Sequence, residues 1–200
     1  AGSISINSLG GTVTRGLYYD GATSFINSGT MTVNSAPLHA IELRSNGFSN
    51  SGTLNITNGT DAADLGLYLV TTGISASNSG IINLTDGGNA QHEGIRVNTG
   101  SSFTNNGIIN GITTIAGDRL VRVLGSLTNS AGGRIALDNT GIFIGGAGTF
   151  TNNGLVTSNR ASGVGIFSNG TAINNAFYSY ANGGLNTFSG GSGITDNGLD

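Results

Sequence analysis

The chain has 200 residues, of which 36 are glycine and 8% are charged, with one proline, no tryptophan and no cysteine. Lack of cysteine excludes a disulfide framework and a thiolate metal site. Glycine without a Gly-X-Y period excludes collagen, and 36% hydrophobic residues in a periodic pattern argue against a disordered coil. The net charge is −3 and all seven basic residues are arginine, which leaves no cationic stripe for nucleic acid or anionic lipid.

The opening Ala1-Gly2-Ser3-Ile4 carries neither the basic n-region nor the apolar h-region of an export signal, so any such signal is expected to have been removed or to lie upstream. No run of eighteen apolar residues follows that could cross a bilayer as a helix. From Phe25 to Val33 a template becomes legible: apolar, any, Asn, any, Gly, any, apolar, any, apolar. It returns at Phe48 to Ile56, around Asn78 and Gly80, at Phe103 to Ile109, around Leu127 and Asn129, at Phe150 to Val156, and at Asn174 with Ala176 in the glycine place. The asparagines Asn27, Asn50, Asn78, Asn105, Asn129, Asn152 and Asn174 recur at steps of 23, 28, 27, 24, 23 and 22 residues.

Each step holds a second apolar pair: Ile41/Leu43, Leu67/Leu69, Ile95/Val97, Val121/Val123, Ile142/Ile144 and Val164/Ile166. Apolar and polar positions alternate with period two, which is strand geometry, and no helical i, i+3, i+4, i+7 pattern competes with it. Two short strands per repeat are therefore expected. One such strand cannot bury its apolar face alone, but successive coils stacked about 4.8 Å apart pair each strand with its copies and close a continuous core. A propeller blade needs four strands in about 40 residues, and a leucine-rich horseshoe needs an L-x-x-L-x-L signature; neither is present. The expected fold is all-β, a right-handed parallel β-helix of about eight coils of 22–28 residues. Residues 1–200 form one repeat array.

The repeated asparagine falls in phase with inward positions, so its amide is expected to bond the corner backbone and the matching asparagine of the next coil. The glycine two places later is expected either to take a positive φ or to permit a close bend. From Asn129 to the next apolar residue, Ile135, is six positions where other repeats take four, which predicts a bulge at Ser130–Arg134. Residues 58–64 and 86–93 predict long loops on one side of the rod, where function tends to gather. Near the end, Ile194-Thr195-Asp196-Asn197-Gly198 restarts the template with Asp for Asn, and Gly2, Ile4 and Ile6 fit its second half. Both termini thus cut a repeat, as expected of a piece of a longer array or of a unit that stacks end to end.

Chemistry-bearing residues are few. Asp61, Asp64, Asp86, Glu93, Asp118 and Asp138 fall between strands of successive coils, but no two share a template position and no Ca²⁺-binding nonapeptide occurs. His39 and His92 lie in different coils with no H-x-x-x-H pair, and no Gly-x-Ser-x-Gly is present, so no metal, cofactor or catalytic residue is assigned. On the second strand, the residues between the apolar pairs should point outward and stack: Tyr18, Glu42, Tyr68, Arg96, Arg122, Phe143 and Phe167. Aromatic faces and guanidinium forks suit sugar or protein surfaces, so Tyr68, Arg96, Arg122, Phe143 and Phe167 are the candidate binding residues.

The repeats Phe25-Ile26-Asn27-Ser28-Gly29-Thr30-Met31, Phe48-Ser49-Asn50-Ser51-Gly52-Thr53-Leu54 and Phe103-Thr104-Asn105-Asn106-Gly107-Ile108-Ile109 resemble the passengers of bacterial autotransporters and other repeat-rich surface adhesins. The resemblance runs along nearly the whole chain. It implies export across the outer membrane to an extracellular, cell-surface position, and a structural role in adhesion, aggregation or biofilm. The implied partner is a host- or bacterial-surface protein or glycan, or the chain itself, with no nucleic acid and no membrane insertion by this segment. No translocator of alternating amphipathic strands ends the sequence. Two alternatives stand beside this reading. One is a pectate-lyase-like polysaccharide lyase or hydrolase using groups such as Asp86, Glu93, Arg96, Asp118 and Arg122. The other is an end-to-end filament subunit.

Overall fold

The computed structural model describes residues 2–7, 15–36, 38–45, 47–58, 65–85, 93–113, 119–138, 140–158, 166–176, 178–180 and 194–196. All the regular structure among them is β, arranged as three parallel sheets of eight, seven and eight strands that the chain visits in rotation. Sheet A begins with Ser3–Asn7, sheet B with Arg15–Tyr19 and sheet C with Phe25–Asn27. Apart from the strands at the ends of each sheet, every strand pairs with its counterpart one turn earlier and later, so the fold is a parallel β-solenoid.

Each turn therefore contains three strands, where the sequence pattern predicts two. The chain bends at the Asn-x-Gly step, so the template splits into a strand of sheet C, such as Phe48–Asn50, and one of sheet A, such as Thr53–Asn58. A second correction concerns the last apolar pair of sheet B. Ile142 and Ile144 pair with Ile166 and Ser168, so the row continues on Ile166/Ser168, and Val164 lies outside the described residues. The bulge predicted after Asn129 is present as a turn closed by the Gly133 amide donating to the Ser130 carbonyl at 2.8 Å.

Inside, identical positions stack into rows. Phe48, Ala76, Phe103, Leu127, Phe150 and Ala172 follow one another in sheet C, and Met31, Leu54, Ile82, Ile109, Ile135 and Val156 in sheet A. These rows are almost wholly buried. Removing such apolar surface from water, at about 25 cal/mol per Å², is the main favourable term holding one coil to the next. Where a row lacks a side chain the neighbourhood fills it. Gly111 occupies the place of Leu84 and Leu137, and Leu120 packs into the space, so that a Cβ on Gly111 would lie 2.2 Å from Leu120 Cδ2.

The inward asparagines make an unbroken row. Each Nδ2 donates to the Oδ1 of the next coil's asparagine: Asn27 to Asn50 and Asn50 to Asn78 at 2.7 Å, then Asn78 to Asn105, Asn105 to Asn129, Asn129 to Asn152 and Asn152 to Asn174 at 2.8 Å. The same Nδ2 also approaches backbone carbonyls at the corner; that of Asn105 reaches Gly107 at 3.1 Å and Arg134 at 3.2 Å. Buried amides are thus satisfied where no water can serve them. The template glycine follows from the same crowding and not from a positive φ, which among the described glycines occurs only at Gly73 and Gly100. A Cβ on Gly52 would stand 2.0 Å from the Gly29 carbonyl oxygen, and one on Gly80 2.0 Å from that of Gly52.

Candidate binding face

Strand alternation turns every second residue of sheet B outward, and the parallel register then stacks them coil on coil. Tyr18, Glu42, Tyr68, Arg96, Arg122 and Phe143 are consecutive partners along the sheet, and the Phe167 backbone follows in the same register. The row is not an open strip. Tyr18 is 48% exposed, but Phe143 is only 9% exposed and Glu42 is fully buried. Arginines from neighbouring positions lie over the row and cover it.

Arg15 and Arg44 sit 5.4 and 5.8 Å from the Tyr18 ring centre, Arg96 5.3 Å from that of Tyr68, and Arg119 and Arg122 4.2 and 5.4 Å from that of Phe143. Guanidinium planes stack on aromatic faces through the ring quadrupole. Asn98 fixes one of these pairs, accepting from Arg96 Nε at 3.1 Å and donating to the Tyr68 hydroxyl at 3.1 Å.

Two glutamates hold the arginines together. Glu42 accepts from Arg15 Nε and from Arg44 Nε, the latter at 2.5 Å. Glu93 accepts from Arg122 Nη1 at 2.6 Å and lies 3.6 Å from Arg96 Nη1. Arg96 and Arg122 are adjacent in register, so Glu93 separates two like charges that would otherwise repel. Parity in the sequence places Arg96 and Arg122 here. It misses Arg15, which opens its strand, and Arg44 and Arg119, which lie just outside theirs, and their signal is only their scarcity: arginine is rare in this chain.

Burial pushes the Glu42 carboxyl up, but the hydrogen bonds and charges of Arg15 and Arg44 outweigh it and hold the group below its ordinary 4.5. Burial lowers the His39 imidazole below its ordinary 6.5, against the Leu38 carbonyl and Glu42, which favour the charged form. His39 packs edge-on to Tyr68 with ring centres 4.9 Å apart and its Nε2 lies 3.8 Å from Glu42. In both cases the unfolded chain binds the proton more readily, so stability rises with pH across the acid range. Thermal melts at fixed pH should show the melting temperature falling as pH drops below 6.5, through His39, and again below 4.5, through Glu42. His39→Asn should remove the first fall and Glu42→Gln much of the second; an unchanged profile in both variants would contradict this assignment.

Of the other expected groups, Glu93, Arg96 and Arg122 converge, while Asp61, Asp64, Asp86, Asp118 and His92 lie outside the described residues. Asp138 ends a strand of sheet A, paired with Ile112, away from this face. No group of three His, Cys, Asp or Glu able to hold a metal occurs among the described residues. Sheet C presents the opposite chemistry, with Ser75, Ser102, Ser126, Thr149 and Thr171 in one outward row, Ser49, Ser77, Thr104, Thr128 and Thr151 in another, and no charge in either. No protein family, curated protein or solved structure matches the chain.

Proposed function

We propose that this chain is a rod-forming adhesive module of an exported bacterial surface protein, as its resemblance to autotransporter passengers implies, and that it grips anionic partners with the outer face of sheet B. The observation that carries this reading is the arginine array, which corrects the expectation from composition that no cationic stripe exists: low overall charge does not prevent register from gathering the few arginines on one face. Arg15, Arg44, Arg96, Arg119 and Arg122 crowd one face of a chain whose net charge is −3, against Glu42, Glu93 and Asp20 among the described residues. Aromatic rings and buried carboxylates hold these guanidinium groups in place before a partner arrives, which lowers the ordering entropy lost on binding. A sulfated or uronate-bearing glycan, or an acidic protein patch, is the complement of such a face.

Adhesion of the purified chain to immobilised heparin, read by surface plasmon resonance against a neutral dextran surface, tests this. Arg96→Ala with Arg122→Ala should weaken binding about tenfold or more, and added salt should weaken it further. Equal retention of the native chain on both surfaces would defeat the reading. A polysaccharide lyase or hydrolase is the second reading, favoured by the contact of Glu93 with Arg96 and Arg122. Release of unsaturated or reducing ends from a polyuronide, lost in Glu93→Gln, would decide for it.

A further inference from the structure

The corner between sheets B and C changes length from coil to coil, and the change builds a notch. Four residues, Asn98 to Ser101, join the strands of one coil; two, Leu124 and Gly125, join those of the next; four, Gly145 to Gly148, join those of the third. The long corners stand proud and the short one between them is recessed by the missing pair. The result is a concavity of about 330 Å³ whose floor is Leu124, Gly125 and Ser126, and whose walls carry Thr99 and Ala147.

The walls are set by hydrogen bonds. The Ser101 amide donates to the Asn98 carbonyl at 3.0 Å across a turn that needs the positive φ of Gly100, +77°, and the Gly148 amide donates to the Gly145 carbonyl at 2.7 Å. The floor is pinned on both sides, with the Gly125 amide on the Val97 carbonyl at 3.0 Å and the Thr149 amide on the Gly125 carbonyl at 2.8 Å. The site is preformed.

Its chemistry is narrow. No charged residue lines it among the described residues. The Ser101 and Ser102 hydroxyls are engaged, with the Thr71 carbonyl and with Ser75 Oγ, whereas the Thr99, Ser126 and Thr149 hydroxyls make no hydrogen bond to a described residue. Each of those three can both donate and accept. Leu124 and Ala147 are the apolar residues of the lining. Hydroxyls of both capacities without a described partner, in one lining with apolar carbon, match a ligand that alternates hydroxyl and C–H surface and carries no charge. The volume lies at the small end of ligand sites, room for one or two rings.

The geometry points to this notch as a binding site for a neutral saccharide unit, separate from the arginine face. Titration of ¹⁵N-labelled chain with neutral gluco-, galacto- and manno-oligosaccharides should shift the amides of Thr99, Gly125, Ser126 and Ala147 saturably with at least one of them, while oligogalacturonate should leave those amides unmoved. Ser126→Tyr should fill the floor and weaken binding about tenfold or more. Ala147→Tyr, on an exposed wall where folding is not at stake, should do the same. Arg96→Ala with Arg122→Ala should leave neutral binding intact, which separates failure of this site from failure of the arginine face. The proposal is overturned if no neutral sugar shifts those amides, if the shifts map to sheet B, or if both tyrosine variants bind as the native chain does.

Discussion

Asn105→Leu is expected to destabilise the solenoid by about 3 kcal/mol, lowering the melting temperature by roughly 10 °C. Leucine keeps the approximate volume but removes a donor 2.8 Å from Asn129 Oδ1 and an acceptor 2.8 Å from Asn78 Nδ2. Both neighbours are fully buried, so water cannot replace what is lost. An orphaned buried polar group costs about 1–3 kcal/mol, and the acceptor of Asn129 loses its donor outright. Asn83→Leu is the control. Asn83 also bonds two coils, donating to Asn55 at 2.8 Å and accepting from Asn110 at 3.0 Å, but it does so on the outer face of sheet A. Water can take over those bonds, and the expected change is under about 1 kcal/mol. Denaturation by urea should separate the two variants; equal losses would mean that burial does not set the worth of these amides.

Gly80→Ala is expected to be at least as damaging, for a steric reason. The added Cβ would meet the Gly52 carbonyl oxygen at 2.0 Å, the Ser51 carbonyl carbon at 2.7 Å and the Gly52 nitrogen at 2.9 Å. All three are backbone atoms, so no rotamer change relieves the contact and the two coils must separate locally. Overpacking of this kind costs about 1–3 kcal/mol where side chains can yield, and the upper end or beyond is expected where they cannot. Gly146→Ala, with nothing within 4 Å of the new carbon, should be silent. Amide exchange in Gly80→Ala should rise first at Ile81 and Gly80, whose amides donate to the Gly52 and Asn50 carbonyls.

The asymmetry between what the sequence makes legible and what it does not has a physical origin at the Asn-x-Gly corner. From Phe48 through Asn50 and Gly52 to Leu54 the odd-even alternation never breaks, so the pattern looks like one strand although the chain turns within it. Parity along a strand and register between strands are local rules, and they suffice for the solenoid, the asparagine row and the stacking of Tyr68 on Arg96 on Arg122. The covering of Phe143 by Arg119 depends on a residue outside its strand and one coil away, about which alternation is silent. The notch depends on a difference between three corners, which has meaning only once they are known to stack.

The inward asparagine row also has a direction. Because the Nδ2 groups of Asn50, Asn78, Asn105 and Asn129 are committed to backbone carbonyls as well as to the next Oδ1, none of these amides can rotate by half a turn without breaking several bonds. The side-chain dipoles consequently point one way along the axis, positive ends toward the later coils, and each hydrogen bond polarises the next. A coil facing the other way would set donor against donor, so the row acts as a one-way key that admits only a neighbour of the same polarity.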